Sequence, residues 1–315
     1  MTPQRVVVLG GSGFVGRSVC RRLAARWPGL RVCVPTRRLG HAAALRLLPG
    51  IEPVQADVHD DGALARLVAE ADAVVQLVAI LHGREADFER VHVGLPQRVA
   101  VACRGAGVAR LVHVSAIGVA ADAPSMYLRS KARGEAVLAA SGVPVSVLRP
   151  SVIFGAEDRF MHLFAALQAW SPLLPLAGRN ARMQPVWVED VGEAILRVLE
   201  GHAPPLLECT GPREYSLGEL ASLAGRWAGH ERAQIGLPEP LARLQARLLE
   251  MAPGPTLMSR DNLESLRVPN VASGTLPGLQ ALGIAPAALE DVMPSLVAGK
   301  GPRSHLDALR RHAAR

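Results

Sequence analysis

The stretch Val6-Val-Val-Leu-Gly-Gly-Ser-Gly-Phe-Val-Gly16 decides the fold, because it runs from an apolar strand through glycines into a helix. Such a turn lets the backbone approach a phosphate closely and aims helix amide groups at its oxygens. The glycines satisfy both G-x-x-G-x-x-G and G-x-G-x-x-G. A merely structural tight turn is the alternative. We predict that a dinucleotide contacts this loop at Gly10, Gly13, Phe14, Val15 and Gly16.

Around this loop, apolar strand-like runs alternate with amphipathic helix-like runs. The strand-like runs are 5–9, 30–34, 52–55, 73–81, 111–114 and 145–148, and the helix-like runs are 15–27, 62–71, 88–105 and 127–141. Strands that are apolar throughout indicate a parallel sheet with helices on both faces. The prediction is an α/β protein with a Rossmann-type, doubly wound parallel sheet and a smaller C-terminal α/β lobe.

The domain organisation follows from where this alternation loosens, after Pro150. We predict a dinucleotide-binding domain over 1–150 that is completed by segments near 185–210. Residues 151–184 and 211–298 are predicted to form a substrate or partner lobe, and 299–315 a basic tail. The pairs Asp190/Glu193 and Ser216/Glu219 have the spacing at which side chains satisfy the first amides of a helix.

The residues after the second and third strands bear on which nucleotide binds. A NAD-preferring site has an acidic residue after the second strand, whereas this chain has Arg37 and Arg38 there. Two guanidinium groups suit a ribose 2′-phosphate, so we predict that NADP(H) is preferred over NAD(H). The alternative is that both arginines are ordinary surface charges. Asp57, followed by Val58, either contacts the adenine edge or only begins the next loop.

One tyrosine and one lysine form a second motif. The chain has only two residues of each type, and Tyr127 stands four residues before Lys131. On a helix the two lie on one face. A neighbouring ammonium lowers the pKa of a phenol from its ordinary value of about 10, and it also reaches ribose hydroxyls. We predict that Tyr127 relays a proton and that Lys131 tunes it and binds the cofactor. A structural pair is the alternative.

Together these motifs resemble the short-chain dehydrogenase/reductase superfamily of extended or atypical type. The matching elements run in family order: Gly10 to Gly16, Asp57-Val58, Leu77-Val78-Ala79, Val114-Ser115, Tyr127/Lys131, Leu148-Arg149-Pro150-Ser151 and Val186 to Val191. The resemblance implies that Val78, Ala79 and Pro150 also line the nucleotide site.

Two segments resemble a narrower group, the NAD(P)H-binding accessory subunit of respiratory complex I and its bacterial relatives. They are Tyr127-Leu-Arg-Ser-Lys-Ala-Arg-Gly-Glu135 and Leu257-Met-Ser-Arg-Asp-Asn-Leu-Glu-Ser-Leu266. This resemblance implies a nucleotide-holding subunit with a respiratory or membrane-associated protein partner.

The chain departs from the superfamily pattern at two positions. Ala116 stands where the catalytic Ser or Thr follows the fifth strand, and His92 stands where an Asn is common. Ser115 either acts as a catalytic hydroxyl or only satisfies backbone groups. Loss of an oriented donor costs about 10²-fold or more in rate. Nucleotide binding should therefore survive better than efficient catalysis.

Composition excludes several other classes. Hydrophobic residues make up 49% of the 315 residues and charged residues 20%, as in a globular protein. No apolar run is long enough for a transmembrane helix, and no secretory signal is visible, so we expect a cytoplasmic protein or one peripheral on the inner membrane. Neither the histidines nor the cysteines show metal-ligand spacing. The cysteines are expected to be buried and reduced: Cys20, Cys33, Cys103 and Cys209.

Charge and apolar patterning bear on partners. The net charge is +7, and the tail 299–315 carries five basic residues against one acidic residue. Such a tail can touch nucleic acid or anionic lipid, but the absence of a nucleic-acid motif favours a solvated terminal helix. An apolar stripe at helical spacing either contacts lipid or a partner or packs on the protein's own core, the commoner case. Its members are Leu237, Leu241, Leu244, Leu248 and Met251.

Two functions follow from the sequence. The first is an NADP(H)-holding subunit, or an assembly or regulatory protein, linked to respiratory complex I or quinone metabolism. The alternative is an NAD(P)-dependent oxidoreductase or nucleotide-sugar epimerase/dehydratase. There Tyr127 relays the proton, Lys131 tunes it, and Ser115 or His92 replaces the missing hydroxyl.

Overall fold

Seven parallel strands form the central sheet of the computed structural model, which describes residues 3–201, 204–252 and 256–298. The strands of the chain are β1 Arg5–Leu9, β2 Arg31–Thr36, β3 Ile51–Gln55, β4 Ala73–Gln76, β5 Arg110–Val114, β6 Val145–Pro150, β7 Ile153–Phe154, β8 Leu173–Leu176, β9 Arg182–Met183, β10 Val186–Trp187, β11 Leu206–Cys209, β12 Tyr215–Ser216 and β13 Ala233–Gly236. The sheet order is β11-β6-β5-β4-β1-β2-β3. This is the doubly wound order of dinucleotide-binding proteins, extended by β11, and it confirms the predicted fold class.

Helices cover both faces of the sheet and build the second lobe. They are α1 Phe14–Arg26, α2 Asp61–Val68, α3 Glu85–Phe88, α4 Leu95–Ala106, α5 Met126–Ala139, α6 Phe160–Trp170, α7 Val188–Glu200, α8 Leu217–Trp227, α9 Glu239–Met251, α10 Arg260–Ser265 and α11 Leu289–Val297. Two 3₁₀ segments, Leu39–Leu47 and Leu279–Leu282, and one π-helical segment, Glu89–Gly94, complete the elements.

β1 shows why the strands are apolar throughout. Val6 and Val8 point into a core that includes residues of α1 and α7, whereas Val7 and Leu9 point into a second core with α2, α4 and α5. Because both faces of the strand are covered, both alternating sets of side chains must be apolar. The phosphate loop therefore begins at the end of a strand that is buried on both sides.

The smaller lobe has a core of its own. Helices α6, α8 and α11 contribute buried side chains such as Phe164, Leu220 and Met293. β8 pairs with β13 in parallel and β9 with β12 in an antiparallel sense. The predicted helix start at Ser216 is confirmed, because Ser216 accepts from the amide of Glu219 while the Glu219 carboxylate accepts from the amide of Ser216.

Three predicted elements were wrong in detail. β4 ends at Gln76 rather than at residue 81, because the chain leaves the sheet there. The predicted single helix over 88–105 contains the π-helical turn Glu89–Gly94 before α4 begins. Asp190 does not cap a helix, because α7 begins two residues earlier. Its carboxylate accepts a hydrogen bond from the Ala287 amide at 2.8 Å instead.

The apolar stripe on α9 also differs from the commoner expectation. Leu241, Leu244, Leu248 and Met251 are 52%, 53%, 60% and 74% exposed, and only alanines of this helix are buried. The interpretation that the stripe packs on the protein's own core was therefore wrong for these four residues. Every helix in the described ranges is too short or too polar to traverse a bilayer. The basic tail lies outside the described residues, and the domain limits stay a prediction.

Candidate nucleotide site

The glycine loop lies between the carboxyl end of β1 and the start of α1. Gly10 has φ +85°, a conformation that only glycine adopts readily. A Cβ atom there would also come within 3.2 Å of the backbone of Leu77 and Val78, which follow β4. Gly10 therefore permits both the tight turn and the close contact with the neighbouring strand end.

Gly16 and Gly13 serve different needs in the loop. A Cβ on Gly16 would lie 2.4 Å from the Gly10 carbonyl oxygen, so only glycine lets α1 pack on the turn. Gly13, directly before α1, is exposed, and a Cβ there would meet only the same carbonyl, at 3.2 Å. The first amides of a helix have no intrahelical acceptor. The first turn of α1 contains no acidic residue, so this end fits an anion.

The side chains of Phe14 and Val15 take part in packing. Phe14 is half-buried, and its ring lies 3.3 Å from the Cβ position of Gly155 in the loop after β7. Val15 packs partly against the sheet core. Any contact of these two residues with a nucleotide in the loop would therefore involve mainly their backbone.

Arg37 and Arg38 lie just beyond the carboxyl end of β2, and both are exposed. Within the described ranges neither forms an ion pair. The Thr36 hydroxyl donates to the Arg38 carbonyl at 3.1 Å and so fixes the backbone of this turn. Two guanidinium groups thus stand at the strand end where a ribose 2′-substituent would lie.

Asp57 and Val58 follow β3. Asp57 is exposed, and its carboxylate accepts from the amide of His59 at 3.0 Å, which closes a local turn. Val58 packs partly against the second core. The α2 helix is capped by Asp60 rather than by Asp57. The turn leaves the exposed Asp57 carboxylate accessible, so both of its predicted roles remain compatible with the geometry.

The next two strand ends hold the remaining predicted contacts. Val78 donates from its amide to the Gln76 side chain at 2.6 Å, and Ala79 is exposed. Pro150 ends β6, is buried, and accepts from the Ile117 amide at 3.0 Å. The structure thus brings residues predicted for one site, far apart in sequence, to the carboxyl edge of one sheet.

Tyr127 and Lys131 lie in the first turns of α5, as predicted. Lys131 is only 2% exposed, and its ammonium donates to the Val114 carbonyl at the end of β5 at 2.8 Å. Burial lowers the pKa of Lys131 to about 8, and the nearby Glu135 partly opposes this effect. The lysine thus ties α5 to the end of β5, two strands from the glycine loop.

The predicted lowering of the Tyr127 pKa is wrong in this structure. Burial raises the pKa of the phenol to about 12. The Lys131 ammonium donates its hydrogen bond to the Val114 carbonyl rather than to the phenol. A phenol with this pKa is a poor proton donor near neutral pH.

His92, in the π-helical turn, is locked by two hydrogen bonds. Its Nε2 accepts from the Ile80 amide at 3.1 Å, and its Nδ1 lies 2.8 Å from the Ser130 hydroxyl, which donates to the Tyr127 carbonyl. Since Nε2 is an acceptor, Nδ1 carries the proton. Burial lowers the pKa of His92 to about 3, consistent with a neutral ring. The imidazole is therefore occupied in positioning backbone and has no free donor for a substrate.

Ser115 and Ala116 complete the region after β5. The Ser115 amide donates to the Leu148 carbonyl at 2.7 Å, while its buried hydroxyl has no partner among the described residues. Ala116 is buried in a small apolar cluster with Leu128. That Ala116 replaces the superfamily's hydroxyl therefore stays a prediction, and the buried Ser115 hydroxyl is its neighbour.

Sequence reasoning missed the role of Asp261. Its carboxylate accepts from the amides of Met126 and Tyr127, at 2.6 and 3.0 Å, and so caps α5 from the other lobe. Ser125 adds a local cap by accepting from the Leu128 amide. The spacing of Ser125 from the helix start could have revealed the local cap. No local pattern indicates which amides a distant Asp will bind.

Comparison with known proteins identifies the family. The family model of NAD-dependent epimerases and dehydratases matches residues 6–207. The chain belongs to this family. This epimerase/dehydratase-family protein is 31% identical over 294 residues to the mitochondrial NADH dehydrogenase (ubiquinone) 1 alpha subcomplex subunit 9 of Mus musculus, covering 90% of this chain and 77% of the relative.

The chain is also similar in sequence to a reductase and in fold to a quinone oxidoreductase. This chain is 29% identical over 238 residues to the ceramide reductase of Caulobacter vibrioides, covering 75% of this chain and 74% of the reductase. Its fold matches the crystal structure of the NADPH-dependent quinone oxidoreductase QOR2 from Escherichia coli, with a TM-score of 0.75 and 20% identity over 92% of this chain and 98% of that one. The last similarity establishes the fold alone.

Proposed function

We propose that the protein is an NADP(H)-holding subunit or assembly factor that binds the nucleotide tightly and docks, through its smaller lobe, on a respiratory or membrane-associated protein. It acts in the cytoplasm or at the inner membrane. The observation that carries this proposal is the contrast between an intact glycine loop and a catalytic region without an oriented hydroxyl. Gly10 and Gly16 allow the close backbone contacts that a phosphate site needs, while Ala116, at the position predicted for the hydroxyl, is buried in an apolar cluster.

The pKa values and hydrogen bonds of the other polar groups support nucleotide binding without catalysis. Tyr127 has a pKa raised to about 12, and His92 uses its Nε2 to accept a backbone hydrogen bond. A carbonyl substrate would find neither a ready proton donor nor a second donor to polarise it. Lys131, in contrast, stays beside the strand ends where ribose hydroxyls would lie.

NADP(H) is the proposed nucleotide because Arg37 and Arg38 are exposed at the end of β2 and form no ion pair within the described ranges. Their donors are free to bind a 2′-phosphate. The contacts proposed on the nucleotide side are those of the glycine loop, the strand ends and Lys131. They are Gly10, Gly13, Phe14, Val15, Gly16, Arg37, Arg38, Asp57, Val58, Val78, Ala79, Lys131 and Pro150.

The proposed partner rests on the exposed stripe of α9 and on the names of relatives. Leu244 and Leu248 are more than half exposed, and the mouse relative is named as a subunit of NADH dehydrogenase. Contiguous exposed apolar side chains mark interaction sites. The proposed assembly is therefore a respiratory one.

Wild-type protein and Tyr127→Phe test the holding function. Both should bind NADPH with the same affinity in a fluorescence titration. Neither should consume NADPH with quinones, ketones or nucleotide sugars. Tyr215→Phe is the matched control, because the Tyr215 hydroxyl donates to Glu290 within the smaller lobe. Turnover by wild type and Tyr215→Phe that is lost in Tyr127→Phe would overturn the holding function.

Comigration with respiratory complex I on native gels tests the partner. Leu244→Glu combined with Leu248→Glu should abolish comigration while NADPH binding is kept. Val101→Glu, at a position 56% exposed on α4, is the control that should comigrate as wild type does. Comigration that survives the double change would exclude the α9 stripe as the docking surface.

A second candidate function is an NAD(P)-dependent oxidoreductase or nucleotide-sugar epimerase/dehydratase. The observations that favour it are the retained Tyr127 and Lys131 pair and the buried Ser115 hydroxyl, which has no partner among the described residues. In that case Tyr127 would relay the proton and Ser115 would supply the polarising donor. Ser115→Ala would then lower kcat about 10²-fold or more. If the protein only holds the nucleotide, the same substitution should leave its affinity for NADPH unchanged.

A further inference from the structure

One segment of the smaller lobe crosses the strand ends at the carboxyl edge of the sheet. We call residues 257–270 the strap. It contains α10 and begins with a capping box in which Ser259 and Asn262 satisfy each other's amides. The proposed function does not use this segment, although part of it stood out in the sequence.

The strap contacts three successive strand ends. After β4, Asn262 donates to the Leu81 carbonyl, and Ser259 lies 3.4 Å from Nδ1 of His82. After β5, the Val268 side chain lies 2.8 Å from the Cβ position of Gly118, where φ is +79°. These contacts lay the strap over the half of the carboxyl edge that the glycine loop does not occupy.

The third contact follows β6. The Asn270 side chain accepts from the Ser151 hydroxyl at 2.6 Å and from the Val152 amide at 2.8 Å. In doubly wound sheets the ligand crevice lies outside the carboxyl ends of the strands. The strap therefore covers the part of that crevice that would receive the nicotinamide half of a dinucleotide held by the glycine loop.

Asp261 attaches the strap to α5 of the nucleotide-binding domain. It is 8% exposed, and both carboxylate oxygens accept amides of α5, those of Met126 and Tyr127. Those amides are among the first of the helix, which have no intrahelical acceptor. A carboxylate at a helix N-terminus is further stabilised by the helix dipole. Removing it would leave two amides without their acceptor at once.

The opposite side of α10 contacts α9 through surface ion pairs and through the Arg260 amide, which donates to the Glu250 carboxylate at 2.7 Å. Arg260 pairs with Glu250 of α9 at 2.9 Å, and Glu264 lies 3.4 Å from Arg243. Exposed pairs of this kind contribute little to stability.

We propose that the strap is a gate that must open for the nicotinamide half of the nucleotide to enter or leave, and that Asp261 is its latch. This inference rests on the proposed nucleotide binding. Asp261 acts through α5 and is a positioning residue. A gate has a kinetic signature, because loosening it raises the association and dissociation rates together and leaves their ratio nearly unchanged.

Stopped-flow binding and chase of NADPH on the full chain test the gate. Asp261→Ala should raise both rates at least tenfold, equivalent to about 1.4 kcal/mol of latch free energy. The Kd should stay within threefold of wild type. Asp261→Asn, which keeps one acceptor, should lie between. A rise in the dissociation rate alone, or no change in either rate, would overturn the gate.

Arg260→Gln is the matched control on the same helix, because Arg260 pairs with α9 and not with α5. Both of its rates should stay within twofold of wild type. If Asp261→Ala does not fold, Asn270→Ala loosens the far end of the strap and should show the same paired rise. Rates equal to wild type in that folded variant would also refute the gate.

Hydrogen exchange on the nucleotide-free protein tests the latch separately. Asp261→Ala should speed exchange in peptides covering 119–130 and 257–270 while β1 stays protected. Acceleration of β1 to the same extent would mean that Asp261 supports global stability only, and it would contradict the latch. Should wild type bind neither NADPH nor NADH, the proposed function fails, yet this experiment still decides whether Asp261 holds the strap.

Discussion

The ammonium of Lys131 donates a hydrogen bond to the carbonyl oxygen of Val114 at 2.8 Å, and the side chain is almost completely buried. This bond joins α5 to the end of β5 and holds the lysine beside the strand ends of the candidate nucleotide site. Burial raises the pKa of Tyr127, one helical turn away, to about 12. The first prediction follows from the cost of burying this charge.

Lys131→Met should change how stability depends on pH. Burial lowers the pKa of Lys131 to about 8 from 10.5, so between these values Lys131 binds its proton more often in the unfolded chain than in the folded one. The Lys131 contribution to stability should therefore rise with pH across this window, by up to about 3 kcal/mol. The buried cysteines, whose pKa values burial raises, oppose this rise equally in wild type and variant. The variant should lack this rise in urea unfolding at pH 7.5, 8.5 and 9.5. Parallel curves for the two proteins would contradict the buried charge.

Gly16→Ala should destabilise the protein by about 1–3 kcal/mol and abolish NADPH binding, because the new Cβ would meet the Gly10 carbonyl oxygen. Gly105→Ala, on α4, is the matched control, since a Cβ there has no atom within 4 Å. It should stabilise the helix by about 0.5–1 kcal/mol. Thermal unfolding and a nucleotide titration measure both effects. Equal behaviour of the two variants would show that the loop is not tightly packed.

Arg37→Ala combined with Arg38→Ala should weaken NADPH binding tenfold or more and leave NADH binding nearly unchanged. The physical reason is that a hydrogen bond to a charged group contributes about 1.5–3 kcal/mol, and only NADPH carries the 2′-phosphate. Arg46→Ala, on the following 3₁₀ segment, is the control. Fluorescence titration gives the Kd values. An equal loss for both nucleotides would contradict the predicted preference.

His92→Leu should lower the free energy of unfolding by about 1–3 kcal/mol, because the Ile80 amide and the Ser130 hydroxyl lose their buried partner. His92→Gln offers one acceptor and one donor in a similar position and should retain most of the stability. Urea unfolding of the three proteins measures the difference. A leucine variant as stable as wild type would show that the ring does not hold these two groups.

Leu248→Ala should leave the free energy of unfolding of the isolated protein within about 0.5 kcal/mol of wild type, because Leu248 is 60% exposed. The same substitution at Leu220, which is 0% exposed on α8, should cost about 2–5 kcal/mol. Urea unfolding compares the two. A large loss at Leu248 would mean that the α9 stripe is covered in solution.

Much of the nucleotide-binding half was predictable because its signals are local. The glycine spacing at Gly10, Gly13 and Gly16 reflects steric contacts within one turn. The capping box at Ser216 and Glu219 reflects bonds across three residues. Asp261 could not be placed on α5, because its two bonds span more than 130 residues. Any helix start in the chain offers the same kind of amide.

The apolar strands, the glycine turn and the spacing of Tyr127 and Lys131 were determined by the sequence itself, because each depends on neighbours a few residues away. Only the tertiary structure decided which charges are buried, which proton His92 carries, and whether the α9 stripe is covered. These properties depend on the solvent that distant elements exclude. Burial by the packed sheet and helices moved the pKa of Tyr127 upward, opposite to what the helical spacing alone predicted.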